Sequence, residues 1–189
     1  PYLGLVHRLD QPVSGVLVFA KNKKAAADLS NQISNGTMKK FYYALIYGTP
    51  IRERDTLEDY LYKDGRENLS IIVNATFPDA KKAILNYRHC STLMVLEEGE
   101  EVSLMEIELL TGRHHQIRAQ MSNAGMPLLG DSKYGSERSK ELSRDIGCKN
   151  VALCAYKLSF KHPVTHKEMV FEKEPDEELF DPFLNEGIL

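Results

Sequence analysis

The segment His7-Arg8-Leu9-Asp10-Gln11-Pro12-Val13-Ser14-Gly15 sets a lone carboxylate two residues beyond a basic pair, then breaks the chain with proline and glycine. That pattern describes an acid displayed on a tight loop, where reactive groups are commonly held. A carboxylate acts as nucleophile or base only while ionised, and neighbouring guanidinium groups keep it so. Further cations come from a second cluster far along the chain, Thr111-Gly112-Arg113-His114-His115-Gln116-Ile117-Arg118. Arg8, Arg113 and Arg118 are therefore the candidates to surround Asp10. Read singly, Asp10 is a turn or capping residue and the arginines are surface ion-pair residues. His7, His114 and His115 open a different chemistry, a metal-dependent hydrolase with Asp10 and the imidazoles as ligands. The spacing is poor for it: adjacent histidines diverge on a helix, and no HExxH, CxxC or paired-carboxylate pattern accompanies them.

Several elements must position these residues. Val16–Ala20 reads as a strand, and Asn22 as the N-cap of a helix through Ala25, Leu29 and Ile33 that closes near Gly36. Phe41 to Tyr47 is an aromatic and aliphatic strand ended by Gly48-Thr49-Pro50. Within it Tyr42 is either core or a functional aromatic face, while Tyr43 and Tyr47 read as core. Leu57–Tyr62, Ser70–Val73, Ala83–Tyr87, Leu93–Glu97 and Val102–Leu110 follow as strands, several joined by hairpin-length loops. After Thr111-Gly112, the residues Ile117, Met121 and Ala124 share a helical face, which Gly125 and Pro127 terminate. Val151–Phe160 and Lys167–Phe171 form a last hairpin around His162-Pro163, and the acidic tail holds a short helix. The expected fold is α+β, with a large mixed, mostly antiparallel sheet flanked by helices and loops.

A chain of 189 residues that is 42% hydrophobic fits one domain with a sizeable core. No run approaches the roughly 18 apolar residues of a membrane span, and no signal pattern opens the chain, so a soluble, cytoplasmic protein is expected. Cys90, Cys148 and Cys154 are odd in number and widely spaced, which suggests buried free thiols rather than disulfides or a zinc site. The net charge of −3 hides an uneven distribution. Between Pro1 and Gly48 the cations Arg8, Lys21, Lys23, Lys24, Lys39 and Lys40 face only Asp10 and Asp28, a balance of +4. Acid concentrates instead at 97–101 and in the tail, so a polyanion would approach one face and avoid the other.

These residues together resemble the RluA-type family of RNA pseudouridine synthases over most of the chain. Its first signature, HRLDxxTSG followed by apolar residues and AK, is matched by His7–Gly15 and Ala20-Lys21, with Val13 in place of threonine. KxYxAxxxG is similar to Lys40–Gly48 and sets the family tyrosine at Tyr42. LxTGRxHQIRxH and GxPxxGDxxYG resemble Leu109–Gln120 and Gly125–Gly135, with Gln120 and Cys154 standing where the family usually carries histidine. The resemblance implies isomerisation of uridine within RNA, with no cofactor and no metal. Asp10 would be the catalytic aspartate, Arg118 its arginine partner and Tyr42 the aromatic face against a flipped base, its hydroxyl assisting proton removal from C5. Arg8 would fill the gap left by the flipped nucleotide, and Arg113, Lys21 and Lys40 would contact RNA. Leu110 would form part of the apolar floor, with Asp131 and Tyr134 bracing the loop. Ribosomal RNA is the preferred partner, transfer RNA the other candidate, and a monomer the expected state. The family's catalytic domain usually begins well before HRLD, often behind an S4-type RNA-binding domain, so residues 1–189 are read as one catalytic domain lacking its N-terminal part and without an S4 domain. The alternative from another class is a noncatalytic RNA-binding module in which Asp10 is incidental.

Overall fold

The computed structural model describes residues 1–95 and 99–185. Seven strands run antiparallel to their neighbours in one sheet: β4 (Lys39–Tyr47), β5 (Arg54–Asp64), β6 (Leu69–Val73), β7 (Lys81–Val95), β8 (Glu100–Leu109), β9 (Leu153–Lys161) and β10 (Glu168–Glu172). Their order across the sheet is β10-β9-β4-β8-β7-β5-β6. A two-residue strand β2 (Ser14–Gly15) adds to β9 in parallel, which makes the sheet mixed but mostly antiparallel, as expected. Two further short strands, β1 (Gly4–Leu5) and β3 (Phe19–Ala20), pair with each other beside it.

Strand alternation divides the core between the two faces of this sheet. Tyr42, Ala44 and Ile46 of β4 pack with Met105, Ile107 and Leu109 of β8 on one face. Leu45 joins Val102 and Leu104 on the other, against Phe180 and Phe183 from the tail. The first face is covered by α2 (Gln116–Asn123), whose Ile117 and Met121 enter its core. Helix α1 (Lys23–Ser34) starts where Asn22 predicts: the Asn22 side chain accepts the Ala25 N–H at 2.8 Å, and Leu29 is buried beneath. Its C-terminus gives way to Gly36 at a φ of +72°, a conformation glycine adopts without a Cβ penalty. A short helix α4 (Asp181–Asn185) lies in the acidic tail as expected. Among the described residues no helix is long and apolar enough to cross a membrane.

Four expectations change. The strand expected over Val16–Ala20 pairs as β3 only at Phe19–Ala20, because the Val18 N–H is taken by the His7 ring and Val16 bonds to the Ala155 carbonyl. Ala83–Tyr87 and Leu93–Glu97 are not two strands but parts of one, β7, with a register shift between His89 and Ser91; Glu97 itself lies outside the described residues. The polar stretch that reads as a loop stays in the sheet because its side chains find partners there: Thr92 Oγ1 lies 2.8 Å from His89 Nε2 and 2.7 Å from Ser103 Oγ across the ladder. Ala124 is not on the buried stripe; it is the exposed C-cap of α2. Finally, α3 (Glu137–Asp145) has no counterpart among the predicted elements. It carries start and stop signals, with the Ser136 hydroxyl capping Ser139 N–H and Gly147 past its end, but Leu142 is its one buried large apolar residue, too few to produce a period.

Candidate active site

Asp10 sits on the loop between β1 and β2, and the loop is closed locally by the Val13 N–H donating to the Asp10 carbonyl at 2.7 Å. Its exit is stapled to the sheet by the parallel pairing of Ser14 and Gly15 with Cys154 and Ala155. That approach admits no side chain. A Cβ on Gly15 would lie 2.2 Å from the Ala155 carbonyl oxygen, and Gly15 has a φ of +124°. Glycine is therefore needed here both for backbone conformation and for space.

The loop forms one wall of a cleft of about 400 Å³. Lys40 and Tyr42 enter it from β4, Leu109 from the end of β8, Arg113 and His114 from the following turn, and Ile117 from α2. His7, Arg8 and Val13 accompany Asp10 on the loop side. The two sequence clusters thus meet in one cavity, as expected, with an apolar end built from Val13, Leu109, Ile117 and Leu153.

Among the described residues the Asp10 carboxylate forms no ion pair within 4.0 Å, so Arg118 is not its direct partner. The Arg118 guanidinium instead binds Asp131 in two-pronged fashion, Nε to Oδ2 and Nη2 to Oδ1, each at 2.7 Å. Both side chains are buried, at 7% and 0% exposure. Asp131 also accepts the N–H groups of Lys133 and Tyr134, each at 3.0 Å. Burial pushes its carboxyl upward, but these bonds outweigh that and hold it below the ordinary range. Arg118 further lies over the Tyr134 ring, 5.1 Å from its centroid. Tyr134 is itself fixed: its hydroxyl accepts from Ser70 N–H at 2.7 Å and lies 3.0 Å from His115 Nδ1. Asp131, expected to brace a loop, is thus what orients Arg118. The sequence does not display this contact, because a separation of 13 positions gives no periodic signal.

Arg118 still acts on Asp10 through its field. Burial raises the Asp10 pKa, and the charges of Arg118 and then Arg8 oppose the rise without cancelling it. Tyr42 is almost wholly buried, and burial, with the Asp10 charge second, raises its phenol well above the usual value. In the free protein it is therefore a protonated donor.

The remaining candidates divide. Arg8 and Arg113 line the cleft, and Arg113 Nε donates to the Lys82 carbonyl at 2.9 Å. Lys40 lines it too, but Lys21 is exposed outside it, just before α1. Leu110 is a correction: it is 37% exposed just past the end of β8, and Leu109 faces the cleft instead. Odd-numbered residues of β8 point to the core here, so the apolar floor falls one residue earlier. His114 and His115 do not diverge on a helix. His115 is left-handed with a φ of 49°, α2 starts after it, and the two rings stack at 3.7 Å. Gln120 is fully buried, donating to Asp59 Oδ2 at 2.7 Å and accepting from Gln116, so this departure from the family pattern lies in packing. Among the described residues no three His, Cys, Asp or Glu side chains converge as metal ligands.

The model of the RNA pseudouridylate synthase family matches residues 1–123. The chain belongs to this family. It is 35% identical over 176 residues to the uncharacterized RNA pseudouridine synthase YlyB of Bacillus subtilis, covering 93% of this chain and 53% of that protein. It is also 32% identical over 168 residues to ribosomal large subunit pseudouridine synthase C of Vibrio cholerae, covering 89% of this chain and 50% of the relative. The chain thus spans about half the length of these relatives. Among solved structures, human RNA pseudouridylate synthase domain containing 1 superposes with a TM-score of 0.75 at 25% identity, covering 93% of this chain and 70% of that one. Human domain containing 4 gives 0.73 at 21%, covering 96% and 74%, and speaks to the fold alone. The synthase fold expected from the sequence is the fold observed.

Proposed function

We propose that this chain isomerises uridine to pseudouridine within structured RNA, with Asp10 as the catalytic nucleophile. The observation that carries the reading is the cleft itself, where a half-buried carboxylate, a buried phenol and an apolar wall meet within the field of a fixed arginine charge. Its volume, about 400 Å³, suits a single flipped base. Stacked uridine hides its reactive atoms, so the nucleotide must leave the helix, and exposed Arg8 at the cleft is placed to occupy the gap.

In this reading Asp10 bonds to C1′ as the N1–C1′ bond breaks, the base turns, C5 bonds to C1′ as the aspartyl ester bond breaks, and the C5 proton leaves while N1 gains one. Asp10 attacks as the carboxylate, and Arg118 with Arg8 favours that form. Tyr42 presents a hydroxyl donor and a ring face beside it. Once Asp10 is esterified its negative charge is gone, and so is one of the two causes that raise the Tyr42 phenol. Tyr42 would take the C5 proton only as a phenolate, and that form is less costly after attack than before it. Ribosomal RNA is the first substrate class to test, supported by the name of the Vibrio cholerae relative.

Release of tritium from 5-tritiated uridine in RNA reports the C5 proton directly. Turnover by the wild type that disappears in Asp10→Asn is expected. Unchanged turnover in that variant would remove Asp10 from the reaction.

A further inference from the structure

Two donors in the cleft wall have no acceptor. Lys40 is only 8% exposed, yet among the described residues its ammonium makes no ion pair or hydrogen bond. Its neighbour Lys39, in contrast, is paired with Glu108 at 3.3 Å. Gly112 leaves room for the ammonium, since Lys40 Nζ lies 3.4 Å from where a Gly112 Cβ would stand. The second donor belongs to His7. Its Nε2 accepts the Val18 N–H at 3.3 Å, which puts the ring proton on Nδ1. Nδ1 is buried and unpartnered, the one such side-chain atom among the described residues. Both residues line the same cleft.

An ammonium held in a largely buried side chain without a counter-charge is costly, and a buried N–H without an acceptor adds to that cost. Such a pair persists where a ligand supplies what is missing. The uncompensated charge is +1, so a neutral base carbonyl does not answer it and an anion does. Lys40 and Tyr42 stand two residues apart on β4, roughly 7 Å along the strand, which sets the anion beside the base-sized space rather than in it. We propose that His7 Nδ1–H and Lys40 Nζ together form a subsite for one phosphodiester flanking the target uridine. The proposal rests on the RNA-modifying reading of the cleft and adds to it a specific contact. Burial, and then the charge of Lys40, lower the His7 pKa to about 4, so His7 serves as a neutral donor at neutral pH. Burial likewise lowers the Lys40 pKa, as expected of an ammonium awaiting its anion.

The test uses a uridine-centred RNA trinucleotide, whose two phosphates are replaced one at a time by neutral methylphosphonate, with affinity measured against salt. In the wild type one of the two replacements should weaken binding by about tenfold. In Lys40→Met that penalty should vanish, and the dependence of log affinity on log salt should flatten by about 0.7. His7→Asn, which keeps a donor near the Nδ1 position, should bind more tightly than His7→Leu. Lys40→Met should also unfold at a higher temperature, because it removes an unpaired, partly desolvated charge; a merely structural lysine would give the reverse. Wild-type protein that does not bind the trinucleotide, or a Lys40→Met variant that keeps both the salt slope and the methylphosphonate penalty, would overturn the proposal. Tritium release assayed in parallel separates the two readings: turnover with an unaltered slope sinks the subsite alone, and an altered slope without turnover sinks the isomerase alone.

Discussion

A guanidinium gripped by two carboxylate oxygens at 2.7 Å is a fixed charge, and Arg118 therefore acts on Asp10 as part of a buried pair rather than alone. The two members of that pair pull the Asp10 pKa in opposite directions, Arg118 downward and Asp131 upward, with Arg8 adding to the downward pull. The acid limb of kcat/KM, set by the ionisation of Asp10 in the free enzyme, should therefore move to higher pH in Arg8→Met and to lower pH in Asp131→Asn. An unmoved limb in both variants would mean that another group controls it. Stability carries the same sign. Because the folded-state pKa of Asp10 is raised, its favourable contribution is complete below the unfolded value and is lost as pH rises through the folded one. Asp10→Asn should accordingly be inactive yet unfold at a higher temperature than the wild type at pH 7, and that gain should shrink in acid. Arg118→Met differs: it leaves the Asp131 carboxylate buried without its cation, and a loss of about 3–5 kcal/mol is expected alongside the loss of turnover. A fully active Arg118→Met would show that the fixed charge is dispensable.

The loop that carries Asp10 is held by an element of two residues, and its weak point is Gly15. A Cβ there meets backbone atoms of Ala155 that have nowhere to go. Gly15→Ala should cost about 2 kcal/mol or more and, by tilting the loop that carries Asp10, lower turnover with it. Gly36→Ala is the control: its φ is also positive but nothing lies within 4 Å, so a backbone cost of about 1 kcal/mol is expected with turnover intact. Equal losses of turnover in both would separate the loop's position from the Gly15 contact. Most of the elements around this loop were legible because they obey a period: α1 from Asn22, β4 from its aromatic run, and α2 from Ile117 and Met121. Contacts that depend on chain crossing were not. The Arg118–Asp131 pair, the stacked His114 and His115 rings, and the choice of Leu109 over Leu110 all arise from where a strand ends or a residue turns left-handed. The continuous β7 was hidden by polar residues whose partners sit on β8.

Across the whole molecule a net charge of −3 coexists with a cationic cleft mouth. The imidazole of His114 reports it: burial first, and then Lys63, Lys133, Arg118 and Arg8, all lower its pKa. The exposed lysines Lys21, Lys23 and Lys24 belong to a second, outer part of the basic surface. Ile33, near the far end of α1, lines the cleft, and Lys23 precedes it by ten residues. That separation is about 15 Å along the helix axis. A trinucleotide seated in the cleft, which advances only about 3.4 Å along the helix axis per stacked nucleotide, does not reach so far. A structured hairpin does. Replacing Lys21, Lys23 and Lys24 together with alanine should therefore flatten the salt dependence of hairpin binding by roughly 2, three phosphate contacts' worth of released counterions, and leave trinucleotide binding unchanged. Flattening with both ligands would bring these lysines to the cleft itself, and no change with either would confine the RNA footprint to the cleft mouth.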